Sequence, residues 1–295
     1  MTDEHAGGRT SVVIATRNRA ATLAVTLRRL LELRPRPPII IADNASTDTT
    51  GDVASALAER HDGVRVLRLA ENLGAAARTL GVLAAPTPYV GFSDDDSWWA
   101  SDALPRAEAV FDRCPNVGLI AARTVVEPRG EVDPTSRAMA DSPLSTGDDL
   151  PGREVLGFLA CGAIVRRAAY LDAGGFSRLL QLGAEEKLLA YDLAARGWRL
   201  RYVPEVRAHH EPAVRDDADH TRRKALVLRN DVLISVLRRS PSTALRSGLA
   251  LAVSATRDVM AARALAGLVR KLPTALWQRR RLPRGVEANV RLLER

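Results

Sequence analysis

Short apolar segments alternate with amphipathic segments over the first 120 residues. The apolar segments, at 10–15, 39–42, 64–69 and 89–92, are rich in β-branched residues, and the first three are each followed by a helical spacing of apolar positions. Strands joined through helices run parallel, and continuously apolar strands are covered on both faces. The pattern therefore predicts an α/β fold with a mostly parallel, Rossmann-like sheet flanked by helices.

Polar side chains gather where these predicted strands end. Ligands of parallel α/β sheets bind beyond the carboxyl ends of the strands, so the gathering predicts an active site at this edge. The candidate residues at this edge are Thr16, Arg17, Asn18, Asp43, Asn72, Arg78, Asp94, Asp95 and Asp96.

Three adjacent aspartates, Asp94, Asp95 and Asp96, predict a site for a divalent cation. Adjacent carboxylates repel one another, and a hard cation such as Mg²⁺ or Mn²⁺ relieves the repulsion while bridging to a diphosphate. Alternate residues of an extended segment point the same way, so Asp94 and Asp96 are expected to share one site while Asp95 points elsewhere. The alternative is an acidic turn in which Asp96 or Ser97 caps a following helix.

The middle of the chain predicts a second half of the sheet. We expect strands at 117–123 and 198–203 and a helix at 185–196 that Gly197 ends. The Pro-rich stretch from the first of these strands to Gly152 is expected to be a loop or lid.

The C-terminal region concentrates the positive charge. Residues 1–220 carry 26 Lys and Arg against 31 Asp and Glu, whereas residues 221–295 carry 17 against 4, so the net charges are −5 and +13. Helical periodicity over 221–272, with arginines between apolar positions, predicts helices that meet an anionic membrane surface or a second copy of the chain. Packing of these helices against the rest of the protein is the alternative, and 279–284 is expected to be a basic tail.

Composition argues against a secreted or membrane-spanning protein. Two cysteines, Cys114 and Cys161, cannot build a disulfide framework, which suits a reducing cytoplasm. No apolar segment reaches the roughly 18–20 residues of a spanning helix, and the polar start does not resemble a signal peptide. We therefore expect a cytoplasmic protein. A peripheral position at the inner face of the membrane is compatible with this expectation.

The chain resembles inverting family 2 glycosyltransferases of bacteria, which have the GT-A fold. Seven motifs carry the resemblance in order: VVIATRNR (12–19), IADNASTD (41–48), ENLGAAAR (71–78), FSDDD (92–96), GGF (174–176), EE (185–186) and PEVRAHH (204–210). The resemblance implies a flexible N terminus at 1–9 and a catalytic domain at 10–215. Within that domain, 10–120 would bind the nucleotide sugar and 121–215 the acceptor, and 216–295 would be a helical appendage.

The resemblance also implies roles for single residues. Asp43 would hold the base of a nucleoside-diphosphate sugar, and Asp96, Asp94 and His210 would bind the Mg²⁺ or Mn²⁺. The neighbour His209 is the other candidate for the diphosphate or metal, and either histidine could equally face solvent. The remaining donor-binding residues would be Thr16, Arg17, Asn18, Asn72, Arg78, Asp94 and Asp95.

The family places its general base in a Glu-Asp pair that begins a helix ending in Gly-aromatic. Counted back from Gly197, the base would be Glu186 and its neighbour Glu185, so this chain departs from the family pattern by having two glutamates. The helix dipole is expected to favour their ionised form. The alternative is that both carboxylates only complement the dipole.

The implied activity is transfer of a hexosyl or deoxyhexosyl group from a nucleoside-diphosphate sugar to an acceptor hydroxyl. The sequence leaves open UDP, dTDP or GDP as the nucleotide, and a glycan, a lipid-linked glycan or a small molecule as the acceptor. A sugar-1-phosphate nucleotidyltransferase is the second enzyme class, but the loop at 16–19 lacks the glycines that such enzymes carry after the first strand. The non-enzymatic alternative is a nucleic-acid or membrane-surface binder acting through 221–295, and the scarcity of stacking aromatic residues there argues against nucleic acid.

Overall fold

The computed structural model describes residues 8–144, 150–212 and 217–294. Most of the expected flexible N terminus, part of the expected lid and the expected boundary at 215/216 therefore lie outside the described residues.

Within these ranges the chain forms ten strands and eleven helices. The strands are β1 (Thr10–Thr16), β2 (Ile39–Asp43), β3 (Val64–Arg68), β4 (Tyr89–Ser93), β5 (Ser97–Trp99), β6 (Val117–Val126), β7 (Glu131–Val132), β8 (Arg153–Glu154), β9 (Ala163–Arg166) and β10 (Arg199–His210). The helices are α1 (Ala20–Leu31), α2 (Thr50–Arg60), α3 (Ala77–Ala84), α4 (Ala103–Arg113), α5 (Pro134–Ala140), α6 (Arg167–Asp172), α7 (Glu185–Ala195), α8 (Asp217–Arg238), α9 (Pro241–Ala255), α10 (Val259–Trp277) and α11 (Arg284–Leu293).

One mixed sheet runs through the molecule in the order β3-β2-β1-β4-β9-β6-β10-β5, with β7 beside β6 and β8 beside β10. The long ladders among β1 to β4 and between β6 and β10 are parallel, as the sequence predicts. The short ladders of β5, β7, β8 and β9 are antiparallel. In particular, β9 lies antiparallel to both β4 and β6 and so joins the two parallel halves.

Helices cover both faces of the sheet, as buried strands require. Leu23 and Leu27 of α1 pack on one face together with Phe111 of α4. Val82 of α3 and Leu189 of α7 pack on the other face. The strand ends are thereby held so that the loops after β1, β2 and β4 lie side by side.

The described part of the expected lid is structured, so the prediction of a loop is wrong there. Residues 131–140 form β7 and α5, and the Asp133 carboxylate accepts a 2.7 Å hydrogen bond from the Thr135 backbone N–H as the N-cap of α5. Pro134 occupies the first helical position, where its missing N–H costs nothing. The proline that suggested a loop therefore starts a helix.

The C-terminal helices pack against the sheet-containing part of the chain (10–212) through a third core. Leu180, Leu188 and Tyr191 meet Leu233 of α8 and Leu268 of α10 in one buried cluster. The prediction of a basic tail is wrong as well, because α11 follows and 279–282 is bonded to α8. Among the described residues, no helix is both long and apolar enough to cross a membrane.

Candidate active site

A cleft of about 480 Å³ opens at the carboxyl ends of β1 and β4. Loops after β1, β2, β3 and β4 form one wall, and a loop before α7 together with α8 forms the other. The lining residues are Ala15, Thr16, Arg17, Arg19, Asn44, Asn72, Gly74, Ala75, Arg78, Asp94, Asp95, Asp96, Gln181, Leu182, Arg223 and Leu226. Seven of the nine residues predicted for this edge line the cleft directly, and Asn18 and Asp43 are not among its lining residues.

The three carboxylates of the acidic turn after β4 (Asp94, Asp95 and Asp96) contact three different partners. Asp94 forms an ion pair with Arg78, Asp95 accepts a 2.9 Å hydrogen bond from the Thr16 hydroxyl, and Asp96 lies 3.3 Å from His210 Nε2. The short strand β5, rather than a helix, follows the turn, so the alternative of a helix cap is wrong. The separate direction expected for Asp95 is observed.

Burial and mutual repulsion affect the protonation of this turn. Burial and the charge of Asp96 raise the pKa of Asp95 to about 7, although the Thr16 hydrogen bond favours its ionised form. Burial lowers the pKa of His210, but its hydrogen bond to Asp96 and the charges of Asp96 and Asp94 outweigh that effect and raise it overall.

The adjacent histidines point to opposite faces of β10, as alternate strand residues must. His210 faces Asp96, whereas His209 bonds Glu127 through Nδ1 at 2.8 Å and stacks on Trp98 with ring centroids 5.5 Å apart. His210 is therefore the histidine that adjoins the acidic turn.

Arg78 is a buried cation at the centre of the acidic groups. It is the second residue of α3 and forms an ion pair with Asp94. Burial lowers its pKa, but the charges of Asp94, Glu185 and Glu186 outweigh burial and raise it. Arg78 thus links the turn after β4 electrostatically to the start of α7.

The loops after β2 and β3 are held by their own polar side chains. Asn44 accepts a 2.7 Å hydrogen bond from the Leu73 backbone N–H and donates to the Gly74 carbonyl at 3.0 Å. Asn72 accepts from the Gly74 backbone N–H at 2.9 Å. These contacts fix the wall of the cleft and leave Asn72 with a local structural partner.

Two predicted donor-binding residues, Asp43 and Asn18, make their contacts with the loops beside the cleft. Asp43 is 2% exposed, accepts a 3.1 Å hydrogen bond from the Ser46 backbone N–H and has Arg68 Nε 3.8 Å from its Oδ2. Asn18, with a positive φ of 55°, accepts a 2.8 Å hydrogen bond from the Thr47 backbone N–H. Asn18 thus joins the loops after β1 and β2, whereas Asp43 joins the loop after β2 to the end of β3.

The predicted glutamate pair begins α7, as the sequence indicates. Glu185 is 3% exposed, and its Oε2 has no hydrogen-bond partner among the described residues. Burial raises the pKa of Glu185, and burial together with the charge of Glu185 raises the pKa of Glu186 to about 7. Glu186 is the more exposed of the two.

Sequence reasoning missed the wall formed by the loop before α7 and by α8. Gly74 approaches this loop closely: the Ala75 backbone N–H donates to the Gln181 carbonyl at 2.7 Å, and a Cβ on Gly74 would lie 2.4 Å from that oxygen. Arg223 and Leu226 of α8 complete the wall. Only the excess of basic residues after 220 hinted that this region supplies a side chain to the cleft.

Comparison with known proteins identifies the family. The model of the family described as "Glycosyl transferase family 2" matches residues 11–173, which is more than half of the chain. The chain belongs to this family. Four of the seven motifs that carry the resemblance lie within the matched range, and GGF (174–176) begins directly after it.

Relatives of known name agree with that assignment. The pre-mycofactocin glycosyltransferase of Mycobacterium tuberculosis is 33% identical over 216 residues, which are 68% of this chain and 42% of that protein. The N-acetylglucosaminyl-diphospho-decaprenol L-rhamnosyltransferase of the same species is 27% identical over 218 residues, 62% of this chain and 70% of the relative. The chain thus spans less than half of the first relative.

The fold is of the GT-A type. The mannosyltransferase PcManGT from Pyrobaculum calidifontis, solved in complex with GDP-Man and Mn²⁺, aligns with a TM-score of 0.60 at 22% identity. The alignment covers 99% of this chain and 87% of that chain, so it extends over the C-terminal helices as well as the sheet.

Proposed function

We propose that this family 2 protein is a metal-dependent, inverting glycosyltransferase that moves a sugar from a nucleoside diphosphate to an acceptor hydroxyl. The observation that carries the proposal is the single cluster formed by the acidic turn after β4, the buried Arg78 and the α7 carboxylates. A diphosphate bound at the turn brings the anomeric carbon of its sugar toward the start of α7.

The residues at the turn fit a divalent cation that the substrate helps to bind. Asp96 and His210 offer a carboxylate oxygen and an imidazole nitrogen 3.3 Å apart; the oxygen suits Mg²⁺ or Mn²⁺, and the nitrogen suits Mn²⁺ better than the hard Mg²⁺. The described residues include no cluster of three or more His, Cys, Asp and Glu that could hold a metal. Catalytic Mg²⁺ sites commonly use one or two carboxylates plus substrate phosphates, so two protein ligands are sufficient. Asp94 is the less direct ligand because Arg78 pairs with it.

When bound, the cation would stabilise the negative charge that develops on the leaving diphosphate. The protein contributes the remaining binding groups. Arg17 and Arg19 line the cleft beside the turn and can contact phosphate oxygens. Thr16, Asn72 and Asp95 border the same space, while Asn18 and Asp43 hold the loops that would receive the base and ribose.

Glu186 is the proposed general base. Its carboxylate takes the proton of the acceptor hydroxyl as the hydroxyl oxygen bonds to the anomeric carbon and the bond from that carbon to the diphosphate oxygen breaks. Attack from the side opposite the leaving group inverts the anomeric configuration. Glu186 is more exposed than Glu185, which supports its role as the group that reaches the acceptor, and Glu185 is proposed to position it.

The acceptor is proposed to be a hydroxyl of a glycan, a lipid-linked glycan or a small molecule. The relative named as an N-acetylglucosaminyl-diphospho-decaprenol L-rhamnosyltransferase supports the lipid-linked class in kind. The opening between the α7 start and α8, where Arg223 and Leu226 lie, is the proposed acceptor side of the cleft.

A thermal-shift panel of UDP, dTDP and GDP, each with and without Mn²⁺, tests donor and metal binding. Ligands that bind the folded state raise the melting temperature, so one nucleotide is expected to do so only with Mn²⁺. Asp96→Ala should abolish this stabilisation, whereas Asp62→Ala, a change of an exposed acidic residue outside the cleft, should leave it intact. Equal stabilisation of the Asp96→Ala protein by nucleotide and Mn²⁺ would show that the metal assignment is wrong.

A further inference from the structure

Large apolar side chains are exposed along α9. Leu245, Leu249 and Val253 occupy every fourth position of the helix, and all three are exposed. Positions four apart lie on one helix face, so the three side chains form a stripe. The sequence predicts that apolar residues of this region contact a membrane, a second chain or the rest of the protein. In the structure Leu251 is buried within the chain, whereas the three residues of the stripe are exposed.

A second exposed stripe runs along α10. Val259, Val269, Leu276 and Trp277 are exposed, and at 100° per residue they fall within about 100° of one another around the helix axis. Trp277 is 85% exposed and Leu276 is 55% exposed. The opposite side of α10 is buried in the third core, so the exposed stripe is not needed for packing within the chain.

The two stripes meet at one groove. Leu245 and Leu249 of α9 and Leu276 of α10 line the same groove, which has a volume of about 440 Å³. We call the exposed side of α9 and α10, including this groove, the α9–α10 face.

Arginines border this face and acidic residues are nearly missing from it. Arg263 and Arg270 are exposed seven residues apart on α10, next to the stripe, and Arg246 is exposed on α9. Between 241 and 286 the sequence has one acidic residue, Asp258, whose carboxylate is occupied as the N-cap of α10. Two further exposed arginines, at 280 and 281, follow Trp277.

We propose that the α9–α10 face binds peripherally to an anionic phospholipid surface. The apolar stripes would enter the boundary between headgroups and acyl chains, and the arginines would contact lipid phosphates. Tryptophan is enriched at that depth because one edge of its ring is polar. A second copy of the chain fits less well, since it would bring two basic faces together without acidic partners.

Vesicle co-sedimentation of the full chain tests this proposal. The wild-type protein should sediment with vesicles of phosphatidylglycerol and phosphatidylcholine at low salt, should bind phosphatidylcholine vesicles weakly, and should be released as salt increases. Leu276→Ser combined with Trp277→Ser should weaken partitioning by about tenfold or more, because both side chains lose apolar contact with lipid. Leu83→Ser is the matched control, since Leu83 is 53% exposed on α3.

The charge contribution has its own matched pair of variants. Arg280→Gln with Arg281→Gln should weaken binding to the anionic vesicles by about 25-fold, at about fivefold for each basic residue near the surface. Arg60→Gln with Arg65→Gln removes the same charge from exposed positions in the sheet-containing part of the chain and should have little effect on vesicle binding.

The outcomes separate membrane binding from the alternatives. Failure to bind anionic vesicles at low salt would overturn the proposal, as would equal loss of binding in both arginine pairs. A dimer in sedimentation velocity that the Leu276→Ser, Trp277→Ser protein cannot form would assign the face to a second copy instead. Melting temperatures of all variants should match the wild type, and the nucleotide thermal shift should be unchanged, so the transferase proposal is tested separately.

Discussion

Burial has a larger effect than the helix dipole on the two carboxylates at the start of α7. The sequence suggests that the N-terminal position keeps both ionised. In the structure, burial and the neighbouring charge of Glu185 raise the pKa of Glu186 to about 7, although backbone hydrogen bonding works in the other direction. A residue with this pKa exchanges protons readily near neutral pH, which suits a general base.

The raised pKa predicts a specific pH dependence. A general base must be deprotonated, so kcat at saturating donor, metal and acceptor should fall about tenfold per pH unit below pH 7 and reach a plateau above it. Transfer by the Glu186→Gln protein should be slow at every pH, and its kcat should not show this fall below pH 7. A wild-type kcat that stays constant from pH 5 to pH 8 would contradict Glu186 as the base.

Removal of the Arg78 charge should move this pH profile. Arg78 lowers the pKa values of Glu185 and Glu186 through its positive charge, so Arg78→Met should shift the acidic limb of kcat upward by about one pH unit. Arg78→Lys retains the charge and should shift the limb less. An unchanged midpoint in the Arg78→Met protein would mean that the cation does not tune these carboxylates.

Single residues also show where the sequence was informative and where it was not. The three aspartates and the glutamate pair could be placed at the sheet edge and at a helix start from motif and spacing alone. The choice between His209 and His210 could not, because it depends on which face of β10 meets the acidic turn.

At the scale of elements, α8 holds the loop that leads into α7. Asn230 is fully buried, and its side-chain amide donates to the carbonyls of Leu180, Leu182 and Gly183 at 3.1, 3.0 and 2.5 Å. This loop carries Gln181, whose carbonyl receives the Ala75 backbone N–H. Asn230 thus ties the C-terminal helices to both walls of the cleft.

Loss of the Asn230 side-chain amide should destabilise the protein. Asn230→Ala leaves buried carbonyls without a donor, so the free energy of unfolding should fall by about 2–4 kcal/mol in urea titration. Asn230→Asp, which keeps the size but removes the donor, should be similarly destabilised. The control Asn116→Ala changes an exposed residue and should stay within about 0.5 kcal/mol of wild type. If the Asn230→Asp protein were as stable as the wild type, the hydrogen bonds could not be the cause of a loss of stability in the Asn230→Ala protein.

Elements with strong local signals could be predicted, and those that depend on distant packing could not. The strands β1 to β4 and helix α7 follow from apolar runs and from Gly197. The extension of β10 to His210 depends on its ladder with β6, and β9 owes its antiparallel direction to its place between two parallel halves. Helix α5 did have a local signal, Asp133 followed by Pro134, which the number of nearby prolines obscured.

At the scale of the whole molecule, the C-terminal helices bury side chains of the sheet-containing part of the chain as well as presenting the α9–α10 face. A chain ended after Pro212 would expose Leu188 and Tyr191 and would remove Asn230 from the loop before α7. We expect this truncated protein to aggregate or melt well below the full chain and to lose its nucleotide thermal shift. A truncated protein that melts and binds nucleotide like the full chain would show that 216–295 is an independent appendage.

The central claim is that one cleft binds the donor at the acidic turn and uses Glu186 to activate the acceptor. The most direct test measures nucleoside-diphosphate release from a panel of nucleotide sugars and acceptors with Mn²⁺ at pH 8, for wild type, Glu186→Gln and Glu185→Gln. The wild type should release nucleotide, and Glu186→Gln should be about 10² to 10⁴ slower while retaining the metal-dependent thermal shift. A Glu186→Gln protein that transfers as fast as wild type, with Glu185→Gln inactive, would contradict the assignment and exchange the two roles.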